Sequence, residues 1–195
     1  MKKSTTIVVI VLLVVVVAVV GVYAFLTNKT KTDNQETSMS AVEKVLNRDL
    51  STDYPATPKE VIKYYTEIEK CFYADSTTDE ELEALGLKAR ELYDADLLEI
   101  NEQDDYLINL KVDVQAFKDR KRTITGVAVA PSINVYTFQE DGYDFARLNC
   151  GYNIVDNGTT KKVVVVYLLR KDENRLWKIY GWDNAENVQI QQPNE

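Results

Sequence analysis

The sequence predicts an α+β domain held behind one apolar span, with about three helices coming first and a curved antiparallel sheet of four or five strands following them. Three observations carry that prediction. Residues 7–26 form an unbroken run of twenty uncharged, mostly branched aliphatic residues. After Arg122 the spacing of apolar residues changes from about 3.6 to 2, the shift from a helical stripe to strand alternation. Asp141-Gly142 and Asn157-Gly158 then stand between alternating segments, and these dipeptides supply the two positive φ angles that a type I′ hairpin turn requires.

The apolar run, IVVIVLLVVVVAVVGVYAFL, matches in helical length the roughly 30 Å hydrocarbon core of a bilayer. It has no polar stripe, so a soluble domain would gain no wet face from it. Lys2 and Lys3 precede it and favour keeping residues 1–6 in the cytoplasm, while Lys29 and Lys31 narrow that margin. Val22 and Ala24 satisfy the small-residue preference of a signal peptidase, but the run exceeds the roughly 7 to 15 residues of a cleaved signal. The expectation is a single-pass cell-membrane protein whose C-terminal domain is extracytoplasmic. Residues 27–40 are polar and without apolar period, which reads as a flexible spacer.

Ser40 and Glu43 form a capping box before Val42, Val45 and Leu46, so segment 41–53 carries a short helix and a connection. The main domain is expected over 54–183, with a polar tail at 184–195. Thr57, Pro58 and Glu60 supply an N-cap, a proline at the first helical position and a closing glutamate. Val61, Tyr65, Ile68 and Phe72 follow on one helical face. A second helix begins near Thr78, with Asp79, Glu80 and Glu81 at the positive end of its dipole and Leu82, Leu85, Ala89 and Leu92 as its stripe. Gly86 lies inside that stripe at a cost of about 1 kcal/mol against alanine, which leaves two short helices open as the alternative to one. A third helix is expected from Asp104 to about Lys121, aligned on Leu107, Leu110, Val114 and Phe117.

Residues 123–129, 132–139, 144–155, 162–170 and 175–182 read as strands. In the third, Ala146, Leu148, Cys150, Tyr152 and Ile154 alternate with more polar residues, as a strand with one buried face does. Pro131 marks a bend, a bulge or an edge between the first two.

The opening TPKEVIKYYTEI and the closing VVVVYLLRKDENRLWKIYGWD resemble the first helix and last hairpin of the nuclear transport factor 2-like superfamily, the cone of SnoaL and ketosteroid isomerase. Trp177, Ile179, Gly181 and Trp182 carry the ending common among its final strands, although the superfamily usually places strands between its second and third helices. With its apolar run, spacer and LNRDLSTDYPATPKEVIKYY segment, the chain also resembles a membrane-anchored family of gut Firmicutes. The first resemblance implies a cone pocket, with Tyr65, Tyr136, Tyr152 and Trp182 as candidate ligand-binding residues. It also implies the kind of interaction or oligomerisation module that membrane-anchored relatives form in envelope machines.

Composition limits the chemistry. There is no histidine, which excludes imidazole as base, acid or ligand. No phosphate loop, dinucleotide fingerprint or zinc-protease motif occurs, so neither a cofactor nor a metal is expected. Setting aside Lys2 and Lys3, 21 of the 23 basic residues face all 31 acidic ones, about −10 in all. That balance excludes nucleic acid as a partner and favours cationic or neutral ones. Asp94, Asp96, Glu99, Glu102, Asp104 and Asp105 cluster, but Leu97 and Leu98 occupy positions where a calcium loop needs a ligand and a glycine, so a solvated connection is expected. An oxidising compartment permits a disulfide between Cys71 and Cys150, and both also read as buried small apolar residues. Tyr64 and Asp113 complete the polar candidates for a pocket, and twelve tyrosines are also what strands and rims use. No nucleophile paired with a base can be named, so the domain is expected to be non-catalytic: a protein-interaction module of homo-oligomers or envelope proteins, or a receptor for a small hydrophobic or cationic ligand.

Overall fold

The computed structural model of the chain describes residues 39–187. The expected span at 7–26, most of the spacer and the end of the tail lie outside the described residues. Among the described residues no helix is long and apolar enough to cross a membrane. The chain divides after Ser40, and the second of its two units begins at Ala41.

That second unit is α+β, with all helices preceding all strands. The helices are α1 (Ala41–Leu46), α2 (Pro58–Phe72), α3 (Asp79–Arg90), α4 (Ala95–Ile100) and α5 (Gln103–Asp119). The strands are β1 (Thr123–Val129), β2 (Tyr136–Glu140), β3 (Tyr143–Asp156), β4 (Thr159–Lys171) and β5 (Trp177–Asn184). They form one antiparallel sheet in the order β1-β3-β4-β5, with β2 also on β3. β1 and β2 share one edge of β3 at different heights, since β2 pairs with 143–147 and β1 with 150–155. Pro131 and the 3-10 turn Ser132–Asn134 make the crossing between them. The expected strand from 132 therefore starts only at Tyr136, because a proline opening a 3-10 turn takes those residues off the ladder.

Both glycine turns form as expected. Asp141 and Gly142 have φ of 51° and 84°, and Asn157 and Gly158 have 50° and 79°. Ala146, Leu148, Cys150 and Tyr152 face the helices and are buried. α2 runs through the middle of the core, with Val61, Ile62 and Ile68 fully buried. Its start is locked by Thr57 Oγ1 accepting from the Glu60 N–H at 3.2 Å while Glu60 accepts from the Thr57 N–H at 3.1 Å. Val42, Val45 and Leu50 join the same core, and the Tyr64 hydroxyl donates to the Val45 carbonyl at 2.7 Å, tying α1 to α2.

One helical alternative is decided by the structure and one expectation is corrected. α3 runs unbroken through Gly86, because the missing side chain is where α5 approaches. A Cβ there would lie 2.8 Å from Leu107 Cδ2 and 2.9 Å from Leu110 Cδ2. Gly86→Val is expected to destabilise the domain by about 1–3 kcal/mol through overpacking. Gly86→Ala, which the two leucine tips can accommodate, should stay within about 1 kcal/mol of the parent in a denaturant titration. The correction is α4. The acidic stretch read as solvated connection holds a helix capped by Asp94, whose carboxylate accepts from the Asp96 N–H at 3.0 Å. Asp94 is only 2% exposed.

Candidate functional site

Four segments bring their polar aromatic residues to one hollow of about 280 Å³ between α2, α5 and β5. α2 contributes Tyr65, Glu69 and Phe72, spaced by four and three and so on one helical face, with Tyr73 at its C-cap. α5 contributes Tyr106, Asn109, Leu110 and Asp113 by the same spacing. Tyr93 stands in the extended link between α3 and α4. That link is pinned to β5 by Asp94 N–H to the Ile179 carbonyl at 2.9 Å and Ile179 N–H to the Leu92 carbonyl at 2.8 Å.

Trp182 reaches the hollow through an irregularity in β5. Leu169 opposes Ile179, yet Tyr167 opposes Trp182, so β5 spends one extra residue between the two pairs. Strict alternation from Trp177 and Ile179 would turn Gly181 inward and Trp182 outward. The bulge at Tyr180 reverses that and aims the indole at the ring of Tyr65, 6.0 Å away, and of Tyr93, 5.7 Å away. Tyr65 also lies 5.9 Å from Tyr93, and Tyr93 lies 5.9 Å from Tyr106, edge to face.

Glu69 is the centre of the arrangement, and it was not among the residues singled out from sequence. Tyr152 donates to its Oε2 at 2.5 Å, and Tyr167 Oη lies 2.7 Å from Tyr152 Oη. Tyr152 gives its one proton to ionised Glu69, and the Tyr167 hydroxyl, 3.5 Å from the same Oε2, aims its own proton at the pair. The other carboxylate oxygen, Oε1, has no hydrogen-bond partner among the described residues, and Glu69 lines the hollow. Glu69 as a whole is half-buried. Burial pushes the Glu69 carboxyl up to about 7, against the lowering effect of the two tyrosine hydroxyls. The phenols around it are raised in turn, Tyr152, Tyr65, Tyr93, Tyr106 and Tyr167 all chiefly by burial, and all keep their protons. Tyr65 and Tyr93 share a hydroxyl contact at 3.0 Å, and Tyr93 and Tyr106 one at 3.4 Å. Tyr152→Phe removes the donor behind Glu69 and is expected to raise the carboxyl further above about 7, read from the pH titration of its side-chain carbon by NMR.

The four candidate ligand residues thus divide. Tyr65 and Trp182 line the hollow, and Tyr152 supports it from behind Glu69. Tyr136 does not belong to it. Tyr136 opposes Arg147 in register, on the sheet face away from the helices, where it is 48% exposed and stacks on Phe138 under the Arg147 guanidinium. Tyr64 turns to α1, while Asp113 sits exposed at the mouth of the hollow. Cys71 and Cys150 are both buried and both free thiols, so the pairing that an oxidising compartment permits is not formed here. Burial raises both, Cys150 to about 11. Among the described residues no cluster of three or more cysteine and acidic side chains is placed to hold a metal ion.

A family described as a domain of unknown function (DUF6715) matches residues 1–182. The chain belongs to that family. No curated protein matches the sequence.

Proposed function

We propose that this member of the DUF6715 family is a membrane-anchored, extracytoplasmic receptor domain that binds a small molecule in the hollow between α2, α5 and β5 without transforming it. The observation that carries the reading is Glu69: a half-buried carboxyl in an aromatic-walled space, with one oxygen clamped by Tyr152 and the other without a hydrogen-bond partner among the described residues. The hollow's volume of about 280 Å³ is at the small end for ligand sites, which suits a compact ligand. The anchor reading is supported by the apolar run 7–26 with lysines before it. The cone of the nuclear transport factor 2-like superfamily is supported by the helices lying on one face of a curved antiparallel sheet and by the Trp177–Trp182 ending.

Titrating the full chain with a library of compact neutral and charged fragments tests this, with Trp182 emission as reporter and native mass spectrometry of the same samples. Saturable fluorescence changes that Tyr65→Ala weakens at least tenfold support the receptor reading. Binding that Tyr65→Ala leaves intact places the ligand elsewhere and ends it. A second reading, docking of a second copy or an envelope protein, is favoured by one observation. The outer face of the sheet carries Tyr136 and Tyr143, each 48% exposed, beside half-buried Val164 and Leu168. It predicts a defined oligomer that Tyr136→Ser dissociates, as measured by light scattering in solution.

A further inference from the structure

Resting on the receptor reading above, we propose that the ligand class is a small organic ammonium ion, and that its binding displaces a proton from Glu69. The walls of the hollow are chemically one-sided. Among the described residues six aromatic ones line it, Tyr65, Phe72, Tyr73, Tyr93, Tyr106 and Trp182, together with two acids and no lysine or arginine. Aromatic faces attract a cation through their quadrupoles, more strongly where water is excluded, and they attract a neutral molecule of the same shape less. Alkylated ammonium groups suit such walls, because their methyl and methylene groups make apolar contact while the charge remains unscreened. Glu69 completes the match, with Oε1 free to meet the charge.

Among the described residues, the groups facing Glu69 across the hollow include no cation. α2 itself supplies Tyr65 and Tyr73, β3 supplies Tyr152 and Cys150, and β4 supplies Tyr167. The α3–α4 link supplies Tyr93, α5 supplies Tyr106 with Asp113 at the mouth, and β5 supplies Trp182. Arg90 at the end of α3 does not line the hollow: it packs over the Tyr106 ring at 5.4 Å and donates to the Asn101 carbonyl at 2.5 Å.

An arriving cation stabilises the ionised form of Glu69 and not the protonated one. The carboxyl, held up near 7 in the empty site, therefore loses its proton to solvent as the ion enters. Binding is then weak in acid, strengthens as pH rises toward the empty-site value, and levels off above it.

The test uses the full chain in a maltoside detergent, with tetramethylammonium, choline and 1,4-diaminobutane as cationic probes and 3,3-dimethylbutan-1-ol as the neutral isostere of choline. Isothermal titration in buffers of different ionisation enthalpy counts protons. The expected result is a cation affinity at least tenfold above the isostere's. About one proton should be released per ion at about pH 6 and almost none at about pH 9, with affinity rising about tenfold from pH 5 to pH 6. Glu69→Gln should abolish the proton release and flatten the pH dependence. The proton count on the parent protein stands even if that variant folds poorly. Equal binding of the isostere, or cation binding with no proton released at about pH 6, overturns the ammonium assignment while leaving a ligand-binding hollow in place. Failure of all four probes to bind overturns the ammonium assignment, and a neutral fragment that still bound at Tyr65 would show that the receptor reading survives it.

Discussion

Replacing Arg170 by methionine is expected to lower the unfolding free energy by about 3–5 kcal/mol, a large part of the roughly 5–15 kcal/mol that holds a domain of this size together. Arg170 meets Asp94 through two parallel hydrogen bonds, Nε to Oδ2 at 3.0 Å and Nη2 to Oδ1 at 2.5 Å, and reaches Asp96 at 3.0 Å. Its guanidinium also packs over the rings of Tyr143 and Tyr180, at 4.7 and 4.8 Å. Asp94 is nearly inaccessible to water, so methionine at 170 leaves a buried carboxylate without its two-bond partner, with the charge of Lys178 acting on it only through space. The loss extends to the hollow, because Asp94 starts α4 and its own N–H holds the Tyr93 link to Ile179. Adding Asp94→Asn to the Arg170→Met protein removes the orphaned charge and should recover more than half of the loss. Denaturant titrations of the two singles and the double form the cycle. A single-variant loss below about 1 kcal/mol would show that water reaches Asp94 freely.

The second large effect is a pH-dependent stabilisation by Glu69→Gln. Folding raises the Glu69 carboxyl from 4.5 to about 7. A raised acid stabilises the fold where it is protonated in both states, so its contribution is full below about pH 4.5. The contribution falls as pH rises and is gone above about 7. At about 1.4 kcal/mol per unit, ionised Glu69 costs on the order of 3 kcal/mol at pH 8. Glutamine keeps an oxygen for Tyr152 and never ionises. The variant should therefore exceed the parent by about 2–3 kcal/mol at pH 8 and match it within about 1 kcal/mol at pH 4.5. Parallel stability curves for the two proteins across that window would show that Glu69 does not titrate with folding.

The local grammar of the chain was legible from its residues. The Thr57-Pro58-Glu60 start, the two glycine hairpins, the burial of alternate residues in β3 and the order of helices before strands all depend on contacts within a few positions. Propensity, capping and period act over that same range. Where the reading failed, a distant contact had the last word. Gly86 costs α3 little because α5 fills the space above it, and the acidic stretch after Tyr93 is ordered because Arg170 lies 76 positions away. α5, by contrast, follows its expected stripe, with Leu110 and Val114 buried and Leu107 and Phe117 half-buried, while Ile108 and Val112 stay exposed on the far side.

The hollow divides in the same way. Tyr65 and Trp182 were nameable as aromatic residues, and the lack of histidine bounds the chemistry by itself. Glu69 had a signal, its spacing of four from Tyr65 on a buried helix, but a glutamate between Ile68 and Lys70 reads as a solvent-facing residue until β3 and β4 place Tyr152 and Tyr167 against it. Sequence alone determined the class of the fold, its turns, the core face of each long element and the acidic balance, because local backbone preference and apolar period settle these. Tertiary structure alone decided which polar groups meet in the hollow. The bulge that aims Trp182, the bridge that carries Tyr93 and the tyrosines that hold Glu69 are pairings between segments far apart in the chain, and only the closing of helices onto the sheet selects among them.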